Sequence, residues 1–460
     1  MTSTLRPTGS FLLALAITTT AMAQSEVNRR HTETPLGPFP PEVRDSAVLS
    51  PDGRHIAYIA TGAGQRVTVD GKEQKTYDQV AGLEFNHDGS RIAYAAKLDD
   101  HWYVVVDEKE SPAYKRVGLP HFNADGSKLA HVALLDDDKR TVVVNGTPGQ
   151  PCDVISAGLI EFSPDRSRMA YGAVRDDQCY LVVDGKEIGP FDDLGTRTGY
   201  RFSHDGSRLA FVALVGENLH VILDEKQGPP LYDVGQLAFN PDGRHVAYAA
   251  QETEAGPWFV FLDDQKQGPY QTIGDESLQF SPDGNRLAYA AQVDNRWSAI
   301  VENQAGDPHD GIAEIRFSPD SKHLAYVAQD DQSESVILDG KPERSFDAIG
   351  GGSLVFSPDS RTLGYIARSG YARFVVVGGA RKPRYTMVAY LNFTSDSRHF
   401  AYVALNETGA FTVVDNLRAV HRYESIWNPP DRKLLFDYRD QFHYIAVKDN
   451  EIYLVEEKIE

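Results

Sequence analysis

The chain has 460 residues, 41% of them hydrophobic, and its formal net charge is -20. Such a chain can bury a large core and exceeds the usual length of one domain. Its acidic character should repel nucleic acids and anionic membranes, and no apolar stretch beyond the N-terminal region is long enough to span a bilayer. The composition therefore predicts no nucleic-acid partner and no membrane insertion.

The N-terminus has the pattern of a secretory signal peptide. Arg6 precedes an apolar run that begins at Phe11, and small residues surround a cleavage site after Ala23. This is the order of regions that export signals share. We predict a signal peptide at 1–23, an N-terminal linker at 24–36 and a periplasmic or secreted mature protein.

One phrase, FSPDGNRLAYAAQ from Phe280, recurs with small changes along the rest of the chain. The period of about 38 residues indicates a repeat architecture. Because so many near-copies cannot each be a catalytic centre, we interpret the phrase as structural. Its aspartates are Asp52, Asp88, Asp125, Asp165, Asp205, Asp242, Asp283, Asp320, Asp359, Asp396 and, in a degenerate copy, Asp431.

Each repeat contains four short runs rich in Val, Ile, Tyr and Phe, which predicts four strands. In SPDG, proline presets a turn dihedral, aspartate accepts backbone N–H groups and glycine takes a positive φ. Pairs such as Asp184–Gly185 predict two-residue hairpins between the third and fourth strands. Antiparallel four-stranded units repeated in this way are typical of β-propeller blades.

The two ends of the array complement each other. Gly37–Val43 matches the fourth-strand pattern with no earlier strands before it, whereas the C-terminal copy supplies three strands. One blade shared by both termini would close a ring and limit exposed sheet edges. We predict a propeller array over residues 37–460.

The phrase SPDG-x-x-[LI]-A-[YF] resembles the TolB-type, WD40-like propeller repeat of bacterial exported proteins. The resemblance covers roughly residues 37–460 and implies the fold, while it says little about function. We do not expect TolB itself, because its N-terminal α/β domain has no room here. We also do not expect a propeller-bearing prolyl peptidase, because the G-x-S-x-G motif of its hydrolase domain is missing.

The predicted fold is all-β, with about eleven four-stranded blades. Eleven exceeds the four to eight blades of most rings, so we favour two rings, for example five blades plus six. No linker interrupts the array, so the sequence shows no boundary between rings. One large ring is the alternative.

The repeats disagree at the residue just before the phenylalanine of the first strand. That strand lies innermost in a blade, so a polar position of changing charge indicates a channel lining. These residues could form a binding or acid/base group, or they could be only solvated or ion-paired; we assign no catalytic residue. The binding candidates are Glu84, His121, Glu161, Arg201, Gln279 and Arg316.

Pairs of aspartates stand between the second and third strands of several repeats. They should project from the face opposite the SPDG turns, where they could hold Ca²⁺ or meet a basic partner. Solvated hairpin tips are the simpler interpretation. The residues are Asp99, Asp100, Asp136, Asp137, Asp176, Asp177, Asp330 and Asp331.

The two cysteines each replace an aromatic residue of the repeat. Cys152 does so in a fourth-strand position and Cys179 at the start of the next third strand. If both positions pack at one contact between blades, an exported protein would form a disulfide there; two buried thiols are the alternative. The histidines show no H-E-x-x-H or other metal spacing, so we predict no metal and no cofactor.

A rigid disc with variable loops and no catalytic motif favours a binding module. We predict an exported, non-catalytic propeller that presents its channel mouth or acidic loop face to a protein, peptide or glycan; a basic partner would suit the acidic face. The alternative is a hydrolase or lyase with its site at the channel mouth, and a structural envelope component is a third possibility. Fold alone does not decide among them.

Overall fold

The computed structural model describes residues 29–155, 160–195, 199–428 and 433–460. These residues form eleven four-stranded antiparallel blades in one ring and a single 3-10 helix at Pro41–Ser46. The predicted all-β propeller of eleven blades is confirmed. The predicted signal peptide and Asp431 of the degenerate copy lie outside the described residues. In the described part of the chain, no helix has the length and apolar character needed to cross a membrane.

The strands of each blade run from the channel outward, and in six blades the innermost strand is divided into two pieces. Blades 1 to 4 consist of Val48–Leu49, Ile56–Thr61, Gln65–Val69, Lys72–Tyr77; Gln79–Phe85, Ile92–Leu98, His101–Val106, Lys109–Glu110; Arg116–Val117 with His121–Phe122, Leu129–Leu134, Arg140–Val144, Thr147–Pro148; Val154–Ile155 with Glu161–Phe162, Met169–Arg175, Gln178–Val183, Lys186–Phe191. Blades 5 to 8 consist of Asp193–Leu194 with Tyr200–Phe202, Leu209–Val215, Asn218–Leu223, Lys226–Gln227; Asp233–Phe239, Val246–Gln251, Trp258–Leu262, Gln265–Tyr270; Thr272–Ile273 with Gln279–Phe280, Leu287–Val293, Arg296–Val301, Gln304–Ala305; Gly311–Phe317, Leu324–Asp330, Ser333–Leu338, Lys341–Pro342. Blades 9 to 11 consist of Ala348–Ile349 with Val355–Phe356, Leu363–Ser369, Ala372–Val377, Ala380–Arg381; Met387–Phe393, Phe400–Asn406, Gly409–Val414, Leu417–Arg418; Ser425–Trp427 with Leu435–Phe436, Gln441–Lys448, Glu451–Ile459, Arg29–Pro38.

The repeated phrase forms the turn between the innermost and second strands. Asp283 accepts hydrogen bonds from the Ser281 hydroxyl (2.6 Å) and the Asn285 backbone N–H (3.1 Å). Gly284 takes the positive φ, 75°, that closes the turn. These bonds, above all the one from Ser281, lower the pKa of Asp283 to about 2. The turn chemistry explains why the phrase recurs in blade after blade.

The core lies between neighbouring blades. A tyrosine or other ring on the second strand of one blade packs against a ring that follows or ends the fourth strand of the preceding blade. The eight pairs given below all meet edge to face, the arrangement that the quadrupoles of aromatic rings favour. The pairs are Tyr77–Tyr94, Tyr114–His131, Phe191–Phe211, Tyr270–Tyr289, His309–Tyr326, Phe346–Tyr365, Tyr385–Tyr402 and Tyr423–Tyr444.

The N-terminal strand Arg29–Pro38 closes the ring. It is the outermost strand of blade 11 and pairs antiparallel with Glu451–Ile459. This strand begins inside the stretch 24–36 that the sequence analysis interprets as a linker. The shared blade then packs on blade 1, where Phe39 and Tyr58 join one buried cluster with Ile445 of blade 11.

The preference for two rings was wrong. Consecutive blades contact each other from blade 1 to blade 11, and blade 11 returns to blade 1. Each blade therefore has its two chain neighbours as its neighbours in space, and blade 1 is a neighbour of blade 11. The single large ring is the arrangement that the structure shows.

The disulfide prediction was also wrong, because the two cysteines lie in different cores. Both are free thiols. Cys152 is buried with Tyr171 between blades 3 and 4, whereas Cys179 pairs across its own blade with Phe191 and packs between blades 4 and 5. The third strand of a blade and the segment after its fourth strand both pack against the following blade. Cys152 of blade 3 therefore contacts blade 4, and Cys179 of blade 4 contacts blade 5, which the repeat pattern alone did not reveal.

Candidate functional site

Four of the channel candidates come from the innermost strands of four consecutive blades, 2 to 5. We name Glu84, His121, Glu161 and Arg201 the channel arc. Each stands directly before the phenylalanine that ends its innermost strand. Since the SPDG turn follows that phenylalanine, the arc lies at the channel mouth on the SPDG side of the disc.

Glu84 and His121 form a hydrogen-bonded pair across two blades. His121 Nδ1 lies 3.0 Å from Glu84 Oε2, and the other oxygen of Glu84 accepts the backbone N–H of Phe122 (2.8 Å). The bond to Glu84 raises the pKa of His121 and outweighs the burial that opposes its charge. Glu84 thus fastens blade 2 to blade 3, while 57% of the His121 side chain remains exposed.

Glu161 and Arg201 continue the arc. Burial raises the pKa of Glu161, and the positive charges of Arg201 and His121 counteract that rise. The Arg201 guanidinium is exposed and donates to the carbonyl of Tyr200 (3.1 Å). The His121 ring stacks near Phe162 at a centroid distance of 6.3 Å. The arc therefore alternates acidic and basic side chains, and the ring of Phe162 lies beside His121.

Gln279 and Arg316 occupy the same position in blades 7 and 8. Gln279 is half-buried and pairs with Ala288 in its sheet. Arg316 is exposed, and its Nε lies 4.0 Å from Glu314 Oε1. Among the described residues, neither side chain has a hydrogen bond or ion pair with the arc, so the six candidates do not form one group.

A second inner-strand position, which the sequence analysis missed, ties blades together. Glu314 is nearly buried and accepts the backbone N–H groups of Gly352 (2.8 Å), Ser353 (3.2 Å) and Leu354 (2.8 Å) in blade 9. Burial raises its pKa despite these bonds. Gln236 binds the backbone of Leu278 in the same way.

The signal for this position was available in the sequence. Glu314 and Gln236 each stand three residues before the phenylalanine of the innermost strand. A polar residue in an otherwise apolar strand indicates either a hydrogen bond or exposure, because a buried polar group without a partner costs free energy. The position just before the phenylalanine varies more in charge from blade to blade and is therefore the more conspicuous of the two.

The acidic tips are turn residues of the hairpins between second and third strands. Asp99, Asp176 and Asp331 have positive φ values of 53°, 50° and 53°, which aspartate tolerates better than most residues. Their backbone N–H groups are bound by aspartates at the connection from the preceding blade, for example Asp78 (2.8 Å).

The other predicted tip residues lie in the same hairpins. The carboxylate of Asp137 accepts the Lys139 N–H (3.1 Å), and Asp330 is ion-paired with Arg296 (3.0 Å) and His309 (2.6 Å). Asp100, Asp136 and Asp177 are exposed at the tips. Turn geometry therefore explains much of this aspartate pattern.

No known family profile matches the chain, and no curated protein sequence matches it. Similar solved structures include a eukaryotic initiation factor (TM-score 0.39, 14% identity, 65% of this chain and 86% of that chain). TolB from Acinetobacter baumannii (0.26, 13%, 57% and 78%) and the Dos1 propeller (0.31, 15%, 65% and 91%) are others. The blades themselves establish a β-propeller repeat protein. At this similarity nothing about activity or partners follows.

Proposed function

We propose that the protein is a non-catalytic binding module that receives a protein, peptide or glycan partner at the channel arc. One observation carries this proposal: four consecutive blades place acidic and basic side chains side by side at one channel mouth. His121 and Arg201 are exposed there, and Glu161 keeps a partly buried carboxylate between them. A partner with both acidic and basic groups would complement this alternation.

The channel arc is a better candidate than the acidic tips. The tips recur because hairpin turns need residues that tolerate a positive φ, so their pattern has a structural cause. The arc differs from blade to blade, and no turn or sheet rule requires its side chains. Where neither turn nor sheet geometry requires a particular residue, a repeat protein can change that residue to recognise a partner without disturbing its fold.

Comparative affinity capture tests this proposal. The tagged mature protein, a Glu161→Gln/Arg201→Ala variant and an Asp99→Asn/Asp100→Asn control would be exposed to the same native envelope and medium fractions. Partners identified by mass spectrometry should disappear with the arc variant and remain with the tip control. Retention by the arc variant together with loss in the tip control would instead favour the acidic face.

We also propose export to the periplasm or the medium, supported by the signal-peptide pattern before Ala23. N-terminal sequencing of the natural protein should then begin near Gln24. A protein that retains Met1 and stays in the cytosol would contradict export without affecting the binding proposal.

One observation supports the alternative of a hydrolase or lyase. His121 is bonded to Glu84, and Glu161 is a second carboxylate with a raised pKa in the next blade. An imidazole and two carboxylates are groups used in acid/base catalysis. Activity on a panel of peptide and glycan substrates that is lost in His121→Ala would favour this alternative, and no turnover by either protein would argue against it.

A further inference from the structure

Three metal-ligating side chains meet where the N-terminal strand closes the ring. Within the described ranges, His31, Glu33 and His421 each offer one ligand atom, and these atoms lie within 4.8 Å of one another. His31 Nε2 is 3.1 Å from Glu33 Oε1, and the rings of His31 and His421 stack with their centroids 3.7 Å apart. We propose that this group binds a divalent transition-metal ion of the zinc type.

The fold brings these residues together from opposite ends of the chain. His31 and Glu33 are two positions apart on the closing strand, so their side chains point to the same side of the sheet. Both are partly buried, whereas their neighbours Arg30 and Thr32 are exposed. His421 stands in the connection from the outermost strand of blade 10 to the innermost strand of blade 11 and faces them.

The ligand set fits zinc better than calcium or magnesium. Two imidazoles and one carboxylate are a known three-ligand set for zinc, with a fourth position left for water; calcium and magnesium prefer oxygen ligands alone. Ligand atoms around a tetrahedral zinc ion lie about 3.4 Å apart, given bonds of about 2.1 Å. The planes of the two imidazoles differ by only 4°, so binding requires one ring to turn out of the stack, together with shifts of about 1 Å in the ligand atoms.

Tyr423 contacts both candidate ligands of the closing strand. The Tyr423 hydroxyl donates to Glu33 Oε1 (2.7 Å) and lies 3.1 Å from His31 Nε2. The Nδ1 atom of His31 is buried and has no hydrogen-bond partner in the part of the chain that the structure describes.

A bound ion would clamp the ring closure. It would join the closing strand to the connection between blades 10 and 11, in addition to the backbone pairing with the last strand. An ion that binds only the folded state stabilises it by mass action. The site would therefore raise the stability of the junction on which the single ring depends.

Zinc titration of the chelator-treated full chain tests the proposal. Competition with a chromophoric chelator should show one zinc ion per chain, bound more tightly than about 10 µM, and zinc should raise the melting temperature. His421→Ala and Glu33→Gln should each weaken binding by more than about 100-fold and abolish the temperature shift. His421 is exposed, so its replacement should leave the fold intact.

His245→Ala is the matched control, because His245 is an exposed histidine paired with Asp263 elsewhere on the ring. It should bind zinc and respond to it like the unchanged protein. Zinc binding that is absent or weaker than about 10 µM in the unchanged protein would overturn the proposal. So would equal affinity in the unchanged protein and in both site variants.

Discussion

At the scale of single residues, an arginine or lysine after the SPDG-type turn joins each of five blades to the next one. Arg208 donates to Asp224 in its own blade (2.8 Å) and to the carbonyls of Gly243 (3.2 Å) and Arg244 (2.8 Å) in blade 6. Its guanidinium also lies 5.5 Å from the ring centre of Phe239. One side chain thus combines an ion pair, hydrogen bonds and a cation–π contact.

Replacing this arginine should weaken the contact between blades 5 and 6. We expect Arg208→Ala to lower the free energy of unfolding by about 1–2 kcal/mol, because it removes a cation–π contact and leaves two carbonyls without a donor. Chemical denaturation measures the change. Arg244→Ala removes the same charge from a side chain that is 81% exposed and should change stability by less than about 0.5 kcal/mol; equal effects would contradict this account.

In blade 1 a histidine takes the place of the arginine, and its ion pair with an aspartate of the same blade depends on pH. His55 Nδ1 lies 2.6 Å from Asp70, and this bond raises the pKa of His55. The protonated form is therefore favoured in the folded state. Its contribution to stability is full below about pH 6.5, the value in the unfolded chain, and is lost as the pH rises through the higher folded pKa.

We therefore expect His55→Asn to lower the melting temperature more at pH 5.5 than at pH 9. His87→Asn, at an exposed turn position of the next blade, should show no such dependence. Melting curves of the three proteins at both pH values measure this. A His55→Asn effect that is the same at both values would show that the protonated imidazole adds no stability.

At the scale of elements, the hydroxyl groups of the interblade tyrosines differ in their partners. The hydroxyl of Tyr289 is bonded to Tyr270 (2.8 Å) and to Gln267 (2.9 Å) between blades 6 and 7. The hydroxyl of Tyr402 is buried and has no hydrogen-bond partner within the described residues. Both rings pack between neighbouring blades. Removing the hydroxyl from each tyrosine therefore shows how much the hydroxyl contributes to stability apart from the ring.

Removing these hydroxyls should have unequal effects. We expect Tyr289→Phe to cost about 1–2 kcal/mol of unfolding free energy, because it leaves buried polar partners unsatisfied. Tyr402→Phe should be neutral or slightly stabilising, since it removes a buried group that makes no bond. Chemical denaturation of both variants decides the point, and a larger loss in Tyr402→Phe would refute it.

At the scale of the whole molecule, stability depends on closure by the first strand. Nine residue pairs join Arg29–Pro38 to the last strand, and the Tyr58 hydroxyl of blade 1 donates to the carbonyl of Pro38 (2.7 Å). Without this strand, blade 11 would expose an unpaired edge, which promotes association with other chains.

A chain that begins at Phe39 should therefore melt at a lower temperature and self-associate. Light scattering coupled to size-exclusion chromatography measures the association, and thermal unfolding measures the loss of stability. A chain that begins at Arg29 is the control and should behave like the mature protein. A monomeric shortened chain with an unchanged melting temperature would show that closure by this strand is dispensable.

The sequence by itself determined the blades. Strand alternation, the Pro-Asp-Gly turn around Asp283 and the two-residue hairpins depend on contacts within a few residues, so local chemistry specifies them in every repeat. The sharing of one blade by the two termini could also be predicted, because the C-terminal repeat has three strands and the N-terminal end supplies a fourth. The inner-strand position occupied by Glu84 and His121 was found because it breaks the repeat.

Only the tertiary structure decided how these units meet. It selected one ring, separated Cys152 from Cys179, and brought Glu84 to His121 and His31 to His421. These outcomes depend on how each blade is rotated onto the next and on where the last blade arrives after ten such steps. A repeat pattern describes one blade at a time, so it leaves the sum of those rotations, and every contact that depends on it, undetermined.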